Sequence, residues 1–115
     1  MDKSKYKWHK LAESINELPF SENGIVEMEV HGKKVCITKH KENLYACVAN
    51  CPHAGGNLAD GYIDAFGNIV CPIHRYKFNL QTGRNTSGEG YYLKQYPVEI
   101  RPDGVFIGFS NNIFS

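Results

Sequence analysis

Long hydrophobic runs, a dominant charge and abundant cysteine are all missing from this chain of 115 residues. No stretch approaches the ~18 apolar residues of a membrane-crossing helix, so no membrane partner is expected. Lysine and arginine number 13 against 12 aspartates and glutamates, a formal net charge of +1. A nucleic-acid-binding domain is usually strongly basic, so no nucleic-acid partner is expected either. Only four cysteines occur, Cys36, Cys47, Cys51 and Cys71. A disulfide-held secreted scaffold would be above ~8–10% cysteine. In a reducing compartment so small a set points to metal, catalysis or plain burial. The first ten residues carry lysines but no arginine, and no apolar stretch follows them. Neither a secretory leader nor an organelle presequence is expected, and the chain reads as cytoplasmic. The length suits a single domain, 1–115, with no room for separate cofactor and substrate domains.

What is present is a series of short β-rich runs, each bounded by turn formers. Ile25–Val30 leads through His31-Gly32, a hairpin turn, into Lys34–Thr38, and Leu44–Val48 follows. Ile69-Val70, Tyr76–Phe78, Tyr96–Ile100 and Val105–Ile107 continue the series. The pattern predicts an all-β, antiparallel sandwich. Leu11–Leu18, stopped by Pro19, is the one helix candidate, of one or two turns. Two long irregular stretches, Asn50–Gly61 and Gly83–Gly90, interrupt the strands, and loops of such length are usually functional.

The first of these stretches carries Cys51-Pro52-His53, a C-x-H arm. A second arm, Cys71-Pro72-Ile73-His74, is C-x-x-H and begins after 17 intervening residues. Each arm offers one thiolate and one imidazole. One reading is a single zinc held by Cys2His2, although zinc fingers group their ligands by type and need the metal to fold. The other is a [2Fe–2S] cluster with two cysteines on one iron and two histidines on the other.

With these two arms, the chain resembles the Rieske family, and within it the small ferredoxin-type members. Cys51-Pro52-His53-Ala54-Gly55-Gly56 and Cys71-Pro72-Ile73-His74-Arg75-Tyr76-Lys77-Phe78-Asn79 carry the resemblance. It implies a Rieske-type antiparallel β-sandwich with a small cluster-binding subdomain, about 50–80, formed by two loops. It implies one [2Fe–2S] cluster, with Cys51 and Cys71 on the inner iron and His53 and His74 on the outer. Pro52, Ala54, Gly55, Gly56, Pro72, Ile73, Arg75 and Tyr76 surround it. Gly55 and Gly56 let the first loop fold closely, with backbone N–H groups aimed at the sulfides, and Pro72 and Ile73 shield the cluster.

Membrane-complex relatives place a cysteine in each loop where this chain has Gly56 and Ile73, so no loop-to-loop disulfide is available. The position of Arg75 commonly holds glycine. The proline of a third family loop is missing from Asn85–Tyr91. Few donors to the cluster imply a potential low in the family range of about −150 to +300 mV. Formally, two ferric irons, two sulfides, two thiolates and two neutral imidazoles are uncharged, so adding an electron costs less than at an all-cysteine cluster.

The expected role is a soluble, monomeric one-electron carrier without a catalytic site of its own. It would pass electrons from a flavin- or NAD(P)H-dependent reductase to an oxygenase, as in ring-hydroxylating dioxygenase systems, or to another terminal reductase. The alternative is a small subunit or redox-sensing module of a larger complex, as in nitrite reductase. Cys36 and Cys47 read as core residues. Trp8 and Phe20 read as core or edge packing, and His9, His31 and His40 as solvated or turn residues. Most lysines, at 3, 5, 7, 10, 33, 34, 39 and 41, read as a solvated face, while Arg75 and Lys77 flank the site and could meet an acidic partner.

Overall fold

The computed structural model describes residues 5–52, 55–73, 75–86 and 91–110. Among the described residues, three antiparallel sheets form. The first contains β1 (Tyr6–Ala12), β10 (Gly104–Ser110) and β9 (Val98–Arg101), in that order. The central sheet runs β2 (Ile25–Val30), β3 (Lys33–His40), β4 (Asn43–Val48) and β8 (Gln95–Tyr96). The third is small: β5 (Tyr62–Ile63), β6 (Asn68–Val70) and β7 (Lys77–Asn79).

The central sheet is buried on both faces, which is why β3 holds four consecutive buried residues, Val35 to Thr38. Val35, Ile37 and Ala46 join Val105, Ile107 and Phe109 of β10 in one core. Cys36, Cys47 and Ile25 turn the other way and join Leu58, Ile69, Cys71 and Phe78 in a second. Alternation along a strand supplies both sets. The expected sandwich is present, and the segment expected to form the cluster-binding subdomain contains the small β5–β6–β7 sheet as well as the two loops.

Two sequence expectations are corrected. Leu11–Leu18 is not one or two helical turns: Leu11 and Ala12 end β1, and only Ile15–Glu17 forms a single 3-10 turn. Pairing with β10 claims the first residues, and the Glu17 carboxylate accepts the Glu13 N–H at 2.7 Å in the short link that follows. Tyr96–Ile100 is not one strand. Pro97 has no N–H for a ladder, and the chain changes sheets there, with the Pro97 carbonyl accepting from Gly108 at 2.9 Å. The His31-Gly32 hairpin turn forms as expected, both residues in the left-handed region at φ 47° and 79°.

Candidate metal centre

Strand β4 delivers Cys51. After Val48 the chain passes Ala49 and Asn50, and Asn50 bridges Asn57 on the returning side of the loop. Leu58 N–H donates to Ala49 at 2.8 Å, so both feet of the loop are tied. Asn57 starts a 3-10 turn over Leu58–Asp60: its side chain accepts from Ala59 and donates to Glu27 at 3.0 Å. Asn23 then reaches across to the carbonyls of Ala59 and Gly61 at 3.1 and 2.9 Å.

Strand β6 delivers Cys71 and β7 carries the chain away. The two loops close in the same manner. Cys51 N–H donates to the Gly56 carbonyl at 2.7 Å, and Cys71 N–H donates to the Tyr76 carbonyl at 2.8 Å. Each arm is therefore a ring fastened at its cysteine and at the residue five places on.

The two thiols converge. Cys51 is 2% exposed and Cys71 is fully buried, both are free, and each is within hydrogen-bonding reach of the other. Burial pushes the Cys71 thiol up; an N–H from Ile73 pulls it back, and the neighbouring Cys51 pushes it further up. Two soft sulfur donors held face to face, in apolar surroundings, fit an iron ion that binds them as thiolates.

Gly55 and Gly56 have separate reasons. Gly55 sits at φ 69°, where a side chain is strained, and its N–H donates to the Cys51 carbonyl at 2.9 Å. Gly56 is short of space: a Cβ there would lie 2.7 Å from Ile73 Cδ1 and 3.2 Å from Cys71 Sγ. The second loop's Ile73 thus lies directly over the first loop's Gly56, although 40% of Ile73 remains exposed. Pro52 and Pro72 are exposed, and Tyr76 is half-buried against the Cys71 core. Arg75 is exposed and left-handed at φ 55°, a conformation that glycine adopts at less cost. Lys77 is near Asp64, at 3.9 Å. His53, Ala54 and His74 lie outside the described residues.

Asp64 anchors the strand that leads to Cys71. It caps the β5–β6 turn, accepting from Phe66 N–H at 2.9 Å and from Asn68 N–H at 3.0 Å. Burial raises its carboxyl, but the Asn68 and Phe66 hydrogen bonds and Lys77 outweigh that and hold it below the usual carboxylate range. Sequence reasoning passed over Asp64, Asn57 and Asn23, whose polar side chains beside turns were the available signal.

The other cysteines pair with each other. Cys36 and Cys47 are register partners across β3 and β4, both buried and free. A hydrogen bond to Cys36, then burial, then the charge of Cys36 hold the Cys47 thiol well above its usual range. His31 is an exposed turn residue, as expected, and β1 and the β2–β3 turn bring the half-buried His9 ring to 4.0 Å from it.

Residues 7–97 match the family model of the Rieske [2Fe–2S] domain. The ferredoxin component of the naphthalene 1,2-dioxygenase system of Pseudomonas aeruginosa is 29% identical over 100 residues, covering 86% of this chain and 93% of that protein. Among solved structures, the oxidised ferredoxin in complex with reduced oxygenase of carbazole 1,9a-dioxygenase superposes with a TM-score of 0.76 at 23% identity, covering 92% of this chain and 96% of the other. A chain described as an NADH-dependent nitrite reductase small subunit from Mycobacterium tuberculosis gives 0.79 at 17% identity, with 93% and 98% covered.

Proposed function

The chain belongs to the Rieske [2Fe–2S] family, and from that premise we propose that it is a one-electron carrier. Its cofactor is a single Rieske-type [2Fe–2S] cluster. When bound, such a cluster accepts and returns one electron with little rearrangement. We assign Cys51 and Cys71 as its thiolate ligands and His53 and His74 as its imidazole ligands, the set the two motifs supply. The observation that carries this reading is the convergence of two buried, free thiols from two loops closed alike.

The chain's own residues would set the properties of the site. Ile73, lying over Gly56, excludes water from between the loops. The Ile73 N–H directed at the Cys71 sulfur draws charge from it and favours the reduced state, since hydrogen bonds to sulfur help set such potentials. Exposed Pro52 and Pro72 leave the outer side of the loops open to a partner.

The named relatives support a terminal oxygenase as electron acceptor; the donor in this reading is a flavin- or NAD(P)H-dependent reductase. In this reading the chain works as a cytoplasmic monomer, as one domain, and leaves catalysis to its partners. A second reading, a small subunit of a larger reductase complex, draws on the fold shared with the nitrite reductase subunit. Co-purification separates the two: a carrier comes away alone, whereas a subunit stays with its complex.

The test is anaerobic purification followed by visible and electron paramagnetic resonance spectra. A red-brown protein with two irons and a rhombic signal on reduction is expected. A colourless protein holding stoichiometric zinc would overturn the proposal. In His74→Cys, any retained cluster should have a lower potential.

A further inference from the structure

The end of the central sheet that bears Cys51 also gathers positive charge. Ala49 N–H donates to Lys34 at 3.2 Å and Val48 N–H to Lys94 at 3.0 Å, so both lysines' backbones flank the chain as it enters the Cys51 loop. Lys33, next to Lys34, holds its ammonium 4.7 Å from the Phe109 ring centre and 6.0 Å from that of Tyr96. Lys94 approaches the same Tyr96 ring at 5.9 Å. Aromatic faces hold the two ammonium groups in place while leaving their charge unneutralised. His31, in the β2–β3 turn, and Lys7, which pairs with Phe109, complete the group. None of these side chains has a carboxylate partner among the described residues. The shared field registers at His9: burial first, then His31, Lys7 and Lys33, hold its imidazole below the usual range.

We propose that Lys33, Lys94, His31 and Lys7 form a docking face for an acidic protein that exchanges electrons with this chain. The inference rests on the electron-carrier reading and names the chemistry of the partner. A local cationic face on a chain of net charge +1 suits a protein surface of limited size more than a polyanion. The face lies on the β10 side of the central sheet, at the end where the chain enters the Cys51 loop, and complementary charge there raises the encounter rate of a partner approaching that end.

The same strand supplies the control. Lys39, with Lys41 beyond it, lies at the far end of β3, about 20 Å from Lys33 at ~3.3 Å per residue. Lys33→Glu/Lys94→Glu and Lys39→Glu/Lys41→Glu change net charge equally. Each is reduced and mixed with hexacyanoferrate(III), which takes one electron to become hexacyanoferrate(II), and with hexaammineruthenium(III). With the anionic oxidant, the Lys33/Lys94 variant should be about tenfold slower than wild type at low salt and lose its salt dependence; the Lys39/Lys41 variant should change less than twofold. The order should invert with the cationic oxidant.

Unloaded protein gives an independent readout: retention on a cation-exchange column should fall more for the Lys33/Lys94 variant. Lys94→Glu alone, at an exposed site, guards against a folding defect and should show part of the effect. Equal effects from the two double variants would overturn the proposal, as would binding to phosphatidylserine vesicles lost only in the Lys33/Lys94 variant while oxidation rates stayed unchanged. Failure of every variant and wild type to load iron would instead overturn the electron-carrier reading, and the visible spectrum reports that separately.

Discussion

Two pairs of cysteines share one apolar core and differ in where they stand on the backbone. Cys36 and Cys47 face each other inside the β3–β4 ladder, one pair in from its end. Cys51 and Cys71 face each other where strands have just ended and loops begin. Residue type, burial and the absence of a disulfide are the same in both pairs. The backbone differs. Thiols inside the ladder stand on backbone held by strand pairing and are buried, so they act as small apolar groups. Thiols at the roots of closed loops sit where donors from two segments can converge on a third body. Position relative to the strand ends, more than burial, separates the core cysteines from the proposed metal ligands here.

The sharpest way to break this comparison is to remove a sulfur from each pair. Cys71→Ser should abolish cluster loading, with iron content and visible absorbance below about a tenth of wild type. Cys47→Ala should leave both unchanged. Loss of the cluster in Cys47→Ala with an intact fold would bring the strand pair into the metal site.

Gly56→Ala probes the loop side next. The added methyl meets Ile73 and the Cys71 sulfur, so loading should fall several-fold while circular dichroism stays that of wild type. Gly56→Ala/Ile73→Val should recover part of the loss, because the nearest clash is with Ile73 Cδ1.

Cys36→Ala and Cys47→Ala probe the strand side through stability. Each removes one buried atom and its contacts, at a cost of about 1–2 kcal/mol in urea denaturation. The double variant should cost less than the sum, since the two sulfurs touch only once.

The smallest effect concerns Asp64, which steadies the strand leading into Cys71. Its carboxyl is depressed in the folded state. The stabilisation is therefore complete above the unfolded value near ~3.9 and is lost as pH falls through the lower folded value. Asp64→Asn should be less stable than wild type by about 1 kcal/mol at neutral pH. The difference should close as the medium becomes more acidic than pH ~4, followed by urea midpoints at a series of pH values.

Most of this was readable in the residues. The runs that became β2, β3, β4, β6, β7 and β10 announce themselves because apolar residues sit between turn formers. The spacing of Cys51 and Cys71 with their histidines singles them out, and strand context sets Cys36 and Cys47 aside. β1 was less legible: Tyr6-Lys7-Trp8-His9-Lys10 alternates, but its lysines and half-buried ring residues mark an edge strand that only β10 completes. Pro97 stands inside an apolar run and hides a change of sheet. The contact of Ile73 with Gly56 and the stacking of His9 on His31 join residues far apart in sequence, and no local pattern encodes them.

The pairing of β1 with β10 carries one more consequence. Tyr6 lies opposite Ser110, at the two ends of the described strands. Between these points the path is a nearly closed circle with a single cut. A short linker across that cut and a new opening in an exposed hairpin, such as Lys41-Glu42, would give a circular permutant with the same neighbours throughout. The core around Cys51 and Cys71 draws no residue from β1, β9 or β10, so the new join would lie away from the proposed metal centre.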